Sequence, residues 1–248
     1  MPDTRPGLVF DSNGVCVACL NYEKQKTTDW EKRFQELKEL CDRHRGCNGN
    51  KPDCAIAVSG GKDSHFQVYY MKEVMNMNPI LLTVGNMDWT EIGRKNLENI
   101  SDTFSCEIIQ LNPNRNVTRI MTKKAFEEFG QPSWYTDSLM YAYPYGMAMK
   151  LGIKLLVYGE DVNYTYGGKQ NTEKASAMLQ SQNDVVRSYL NNWLDETGIS
   201  ENEMISTIPP TIEECKKFGL ESIYLSYFVP WNSVHNYEVA KRWGFQHL

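Results

Sequence analysis

The feature that most constrains this chain is a rhythm that begins at Cys54. Short, evenly apolar runs alternate with segments of helical length. "CAIAV" (54–58) leads to a helix predicted over Ser64–Val74, then "PILLTVG" (79–85), a helix over Glu91–Phe104 and "CEIIQL" (106–111). A further helix, about Val117 to Phe129, closes at Gly130, and another ends at Gly152 before "IKLLVYGED" (153–161). Alternation of this kind builds a parallel sheet with helices wound on both faces. Runs that are apolar throughout, rather than at every second residue, indicate strands buried on both sides.

The flanks read differently. Before Cys54 lies a turn-rich stretch carrying Cys16 and Cys19, then a helix from about Asp29 to Arg43. Thr28 and Glu31 have capping-box spacing there, and Trp30, Phe34, Leu37 and Leu40 share one face. The last third is mainly helical. Val186, Tyr189, Leu190 and Trp193 recur at helical spacing, and Thr211 with Glu214 forms a second capping box. "SIYLSYFV" (222–229) alternates like a strand, and "SVHNYEVAKRWG" (233–244) closes as a helix. The expected organisation is a small Cys-x-x-Cys segment with its helix over 1–50 and an α/β domain over 51–248.

Composition narrows the function classes. A net charge of −5 argues against a broad basic face for a nucleic-acid backbone. No apolar run approaches the roughly 18–20 residues that span a bilayer, and the start lacks the pattern of a secretory signal. Seven cysteines, an odd number, do not read as a disulfide framework. A reducing cytoplasm is therefore the expected location, with neither a membrane nor a nucleic-acid partner.

Chemistry concentrates where the first strand ends, in "SGGKDS" (59–64). A strand feeding a Gly-rich turn into a helix N-terminus makes an anion site, because the first helical amides are unpaired and the helix dipole favours negative charge. Gly60 and Gly61 let the chain turn sharply and let a phosphate come close. Ser59 and Ser64 offer hydroxyls, Lys62 a point charge, and Asp63 a ligand for Mg2+ bridging phosphate oxygens. The spacing is neither that of a Walker A loop nor that of a Rossmann fingerprint. "VYGED" (157–161) should end at the same sheet edge, where Gly159 permits close approach and Glu160 can hold a cation or orient substrate.

Ser-Gly-Gly-x-Asp-Ser after the first strand resembles the pyrophosphate loop of the PP-loop ATP pyrophosphatases, the adenine nucleotide alpha hydrolase-like fold. The resemblance implies ATP cleaved between its α- and β-phosphates, adenylation of a substrate oxygen, and displacement of AMP by a nitrogen or sulfur nucleophile. Adenine and ribose would lie near "TVGNMDW" (83–89). Within that superfamily the chain is similar to the N-acetyl sugar amidotransferases. The similarity rests on "MPDTRPGLVFDSNGVCVACLNYE" at the start, "NLENIS" (96–101), "KAFEEFG" (124–130), "MAMKLGIKLLVYGE" (147–160), "YGG" (166–168) and "YLSYFVPWNSVHNYEVAKRWGF" (224–245).

That likeness implies ATP-dependent amidation of a bacterial surface-sugar precursor, for lipopolysaccharide O-antigen or for flagellin sugars such as pseudaminic acid. The acceptor would be a carboxyl or acetamido group on a sugar or nucleotide-sugar. Ammonia would come from a glutaminase with a cyclase-like partner. Lys62 and Asp63 would be catalytic, and Ser59, Gly60, Gly61, Ser64, Gly159 and Glu160 would complete the ATP site. ATP and Mg2+ are the implied requirements. Members of that family carry a second Cys-x-x-Cys upstream and run past the position of Leu248, so this chain is expected to be shortened at both ends.

Other residues carry weaker signals. Cys16-Val-Ala-Cys19 has the spacing of half a zinc site, and the family likeness favours Zn2+ over a redox or incidental pair. His44 and Cys47 are possible further ligands. Cys41, Cys54, Cys106 and Cys215 fall at core positions. His65, just past the loop, is placed either against phosphate or toward solvent. Tyr164 and Tyr166, beside Gly167 and Gly168, are candidate substrate contacts, while Trp134, Tyr135, Tyr141, Tyr143 and Tyr145 read as a packed helix containing Pro144. Lys123 and Lys124 read as a solvated face. The rival readings are a tRNA thiolase of the same superfamily, which needs a reactive cysteine and RNA binding, and a non-catalytic nucleotide-binding fragment.

Overall fold

The computed structural model describes residues 8–167, 173–179 and 192–247. Five parallel strands form one sheet: β1 (Cys54–Ala57), β2 (Pro79–Val84), β3 (Ile108–Leu111), β4 (Leu155–Tyr158) and β5 (Glu221–Tyr224). Their order is β3-β2-β1-β4-β5. Registers run Ile56 to Leu81 and Val157, Leu82 to Ile109, and Val157 to Ile223. The chain leaves β1 toward β2 and β3 on one side, then crosses back to place β4 on the other. That reversal opens a crevice above the carboxyl ends of β1 and β4, the usual ligand position in such sheets.

Helices cover both faces, as the unbroken apolar strands predict. Successive strand side chains point to opposite sides. Ile56, Leu81, Leu155, Val157 and Ile223 therefore meet α2 (Trp30–His44), α3 (Lys62–Tyr69) and α4 (Glu91–Phe104), together with α11 (Leu225–Phe228) and α12 (Ser233–Arg242). Ala55, Ile80, Leu82, Leu156 and Tyr158 meet α6 (Trp134–Lys150) and α10 (Ile212–Phe218). A third cluster joins α5 (Arg115–Phe129) and α6 to α8 (Asn192–Thr197) and α9 (Glu201–Met204), centred on Trp134 and Trp193. The edge strand β3 is the least buried of the five, whereas the other edge strand, β5, is almost wholly covered. Two short helices, α1 (Val17–Gln25) and α7 (Val162–Tyr166), pack on each other beside the crevice.

Several local expectations are corrected. Asp29, not Thr28, caps α2, accepting from Lys32 N at 3.0 Å. Thr28 instead donates to the Lys24 carbonyl. The helix after the glycines begins at Lys62 rather than Ser64, and its tail, Tyr70–Val74, is a π-helical turn. The alternation in 222–229 ends as a strand at Tyr224. Beyond it Leu225, Phe228 and Val229 are buried at helical spacing, and Ser226 N donates to the Gly159 carbonyl at 2.8 Å. Lys124 is no solvated residue, for it bridges Glu128 and Glu196 and so ties α5 to α8. The helical signal at Val186, Tyr189 and Leu190, and Gly168, lie outside the described residues. The boundaries at Glu91, Phe104, Phe129 and Thr211 agree with the sequence reading.

Candidate functional site

The loop after β1 is built by hydrogen bonds among its own residues. Ser59 N donates to Ser64 Oγ at 2.9 Å, and the two hydroxyls lie 3.3 Å apart. Gly60 sits at φ +83, where an L side chain is strained, and a Cβ there would meet Leu97 Cβ at 3.3 Å. Gly61 differs from the expectation. Its φ of −75 is open to any residue, and an added Cβ would meet only Ser59 Oγ at 3.5 Å. It serves as the N-cap of α3, and no side chain caps the first-turn amides of 62–64.

Lys62 and Asp63 occupy that first turn and pair with each other. Asp63 Oδ1 accepts from Asn236 Nδ2 at 2.9 Å. Glu160 follows β4 and lines the same crevice as Asp63. Burial, and then the Asp63 charge, push its carboxyl above the ordinary glutamate range, against the pull of Thr165, Lys62 and Tyr166. The Tyr166 hydroxyl donates to Glu160 Oε1 at 3.4 Å. Tyr164 is buried, donating to the Asn21 carbonyl at 3.4 Å and accepting from Asn21 Nδ2 at 2.9 Å on its own carbonyl. Of the two tyrosines, Tyr166 reaches toward the crevice and Tyr164 fastens α7 to α1.

The crevice encloses about 220 Å³ between β1, β2, β4 and α6, with Tyr141, Pro144 and Trp231 among its walls. A second cleft, about 590 Å³, begins next to it at Gly85 and continues past Trp89, Arg94, Gln110 and Arg115. Val84 lines the first and Gly85 the second, so the two abut along β2. Gly159 is tight because of a protein neighbour: a Cβ there would lie 2.5 Å from Gln67 Nε2 and 3.2 Å from Trp231 Cη2. Within the described residues Gln67 Oε1, Thr83 Oγ1 and Asn236 Oδ1 are buried without a hydrogen-bond partner. The first two belong to residues lining the crevice.

These features fit a magnesium nucleotide. Two carboxylates, Asp63 and Glu160, face one cavity and supply the hard oxygen ligands that Mg2+ prefers. The first-turn amides, Lys62 and the serine hydroxyls supply donors for phosphate oxygens. Zinc fits poorly. Cys16 and Cys19 lie with sulfurs 3.4 Å apart, half of a tetrahedral set, and no group of three or more His, Cys, Asp or Glu is gathered among the described residues. His44 is held by Glu221 at 3.0 Å, and Cys47 is hydrogen-bonded to the Arg43 carbonyl.

His65 neither lines the crevice nor faces solvent. It is fully buried, with Nδ1 3.0 Å from the Gly61 carbonyl and Nε2 3.3 Å from Asn99 Nδ2. Burial lowers its pKa, so the neutral ring braces the loop from behind. Cys41, Cys54, Cys106 and Cys215 are buried, as expected, and burial pushes the Cys41 thiol up to about 12. Trp134, Tyr135 and Tyr145 are core residues of an unbroken α6, whereas Tyr141 reaches the crevice.

Sequence reasoning missed Asn236, Trp231, Gln67 and Thr83. A signal existed for the first: Asn236, Val239 and Ala240 share the buried face of α12, and a lone amide among apolar positions needs a partner.

No family model matches the chain. An uncharacterized protein of Methanocaldococcus jannaschii is 23% identical over 177 residues, covering 71% of this chain and 62% of that protein. The chain thus spans less than two thirds of that relative. Among solved structures, the NH3-dependent NAD synthetase of Campylobacter jejuni aligns with 77% of this chain and 82% of its own, at 11% identity and a TM-score of 0.41. The NMN synthetase of Francisella tularensis aligns with 87% and 93%, at 13% and 0.41. A predicted tRNA methyltransferase subunit of M. jannaschii aligns with 76% and 75%, at 12% and 0.39. At these scores the likenesses assign no activity to this chain. No described helix is long and apolar enough to cross a membrane.

Proposed function

We propose that the chain is a PP-loop ATP pyrophosphatase that amidates a sugar. In this reading 51–248 is the catalytic domain and works in the cytoplasm, where ATP is available. The observation that carries the reading is the loop: a left-handed Gly60, an uncapped α3 N-terminus and the Lys62–Asp63 pair above a switch-point crevice. Its donors would hold a pyrophosphate, and Asp63 and Glu160, which line the crevice, would hold Mg2+. When bound, that cation screens the phosphate charges.

The adenosine would extend from the crevice into the adjoining cleft past Gly85. An acceptor oxygen attacks the α-phosphorus, and the bond to the β-phosphate breaks. Lys62 then neutralises charge on the departing pyrophosphate. Ammonia, supplied by a partner glutaminase, attacks the adenylated carbon and AMP leaves. No side chain has to form a covalent bond, and the reading makes no use of zinc at Cys16 and Cys19. A thiolase would need a reactive cysteine, and Cys54 on β1 is fully buried with its thiol pushed well up by desolvation.

The test is pyrophosphate release from ATP, Mg2+ and ammonium against nucleotide-linked uronic acids and N-acetylated nonulosonic acids, with bulk tRNA as a parallel arm. The reading expects release that depends on a sugar. Release only with tRNA would replace it by the thiolase, and nucleotide binding without release by the non-catalytic fragment.

A further inference from the structure

We propose that Asn236 is a positioning residue for Asp63, fixing the carboxylate and so setting the affinity of the site for its divalent cation; this rests on the reading above, in which Asp63 is a cation ligand. Asn236 is fully buried on α12, 173 residues away in sequence, and its Nδ2 donates to Asp63 Oδ1 at 2.9 Å. The amide orientation follows from chemistry. Reversed, its oxygen would face a carboxylate oxygen, two acceptors with no proton between them.

The two oxygens of Asp63 are held differently. Oδ2 pairs with Lys62, a partly exposed side chain on a flexible stem that can move to a phosphate. Oδ1 is held by a buried amide that cannot leave. With a cation and nucleotide bound, Lys62 would be free to turn to a phosphate while Asn236 would keep Oδ1 in place. A neutral donor suits this task, because a lysine or arginine at 236 would cancel the charge the cation needs.

The cost of the arrangement is visible. Asn236 Oδ1 is buried without a partner among the described residues, a penalty an apolar side chain would avoid. Nor does α12 need the amide to dock. Val239 and Ala240 are buried on its inner face, and Trp243 beyond it packs on Tyr69 and Phe104. What remains for Asn236 is its donor, aimed at Asp63.

The experiment measures free Mn2+ by electron paramagnetic resonance with the full chain loaded with α,β-methylene ATP. Asn236→Leu and Asn236→Ser are each made alone and together with Asp63→Asn; the serine, too short to reach Oδ1, serves if the leucine variant does not fold. The expected result is Mn2+ affinity weakened by about 10–100-fold, with metal-free affinity for the analogue unchanged. In the Asp63→Asn background neither change should weaken Mn2+ further, because the partner is gone. Unchanged Mn2+ affinity, additive losses, or an equal fall in metal-free analogue affinity would each overturn the proposal while leaving the nucleotide reading intact. Loaded wild type that holds no Mn2+ would overturn both.

Discussion

Glu160 and Asp63 line one crevice, and burial together with the Asp63 charge pushes the Glu160 carboxyl above the ordinary glutamate range. A cation between them would relieve the repulsion, and without one the ionised pair is a local liability. The sign of the pH effect follows. The folded chain holds the Glu160 proton to higher pH than the unfolded chain does, so this group's contribution falls as pH rises from the unfolded value of about 4.5 through the raised folded value. Glu160→Gln should therefore raise the melting temperature at pH 7 to 8, with the gain vanishing near pH 4. Thermal melts across that range check it, and an equal gain at both ends would contradict the assignment.

The two loop glycines should separate. Gly60→Ala forces a side chain into a left-handed position at a cost of roughly 1–2 kcal/mol, on top of its close contact with Leu97. Gly61→Ala should be nearly neutral in stability, since its φ is ordinary. Chemical denaturation of both variants measures this directly.

Lys62→Met should leave the fold intact, because the lysine is partly exposed and its ion pair among the described residues is with its neighbour Asp63. Removing a charge that stabilises a leaving pyrophosphate should lower the turnover number by about 10²–10³-fold. Binding of a non-hydrolysable analogue should change much less. Single-turnover kinetics with binding measured in parallel separates the two effects.

Thiol reactivity should divide by burial. Cys19 and Cys47 are exposed, whereas Cys41, Cys54, Cys106 and Cys215 are buried and desolvation raises their thiols. Alkylation of native protein followed by mass spectrometry should modify the exposed pair and spare those four until denaturant is added. Rapid native modification of Cys54 would revive the sulfur-transfer reading.

The sheet was legible because β1, β2 and β4 are apolar at nearly every residue, as two-sided burial requires, and because "SGGKDS" announces a strand-to-helix turn. What misled was local chemistry with two solutions. Thr28 and Asp29 both suit an N-cap, and Asp29 takes the role while Thr28 turns back to the Lys24 carbonyl. Residues 222–229 fit an alternating strand as well as a strand that breaks into a helix, and contact with Gly159 decides it. At the site, the loop and Glu160 were readable from position alone. Asn236, Gln67, Thr83 and Trp231 were not, because each matters only through a neighbour distant in sequence. His65 was misplaced for the same reason: Asn99 and Phe245 enclose it from other elements.

Where ATP breaks distinguishes pyrophosphate release from phosphate transfer. Products of a reaction containing the chain, ATP, Mg2+, ammonium and the sugar panel should be resolved by ³¹P nuclear magnetic resonance. AMP and pyrophosphate should form in equal amounts, and Asp63→Ala should abolish both. ADP with inorganic phosphate would contradict this, placing the cleavage at the wrong bond for the loop proposed here.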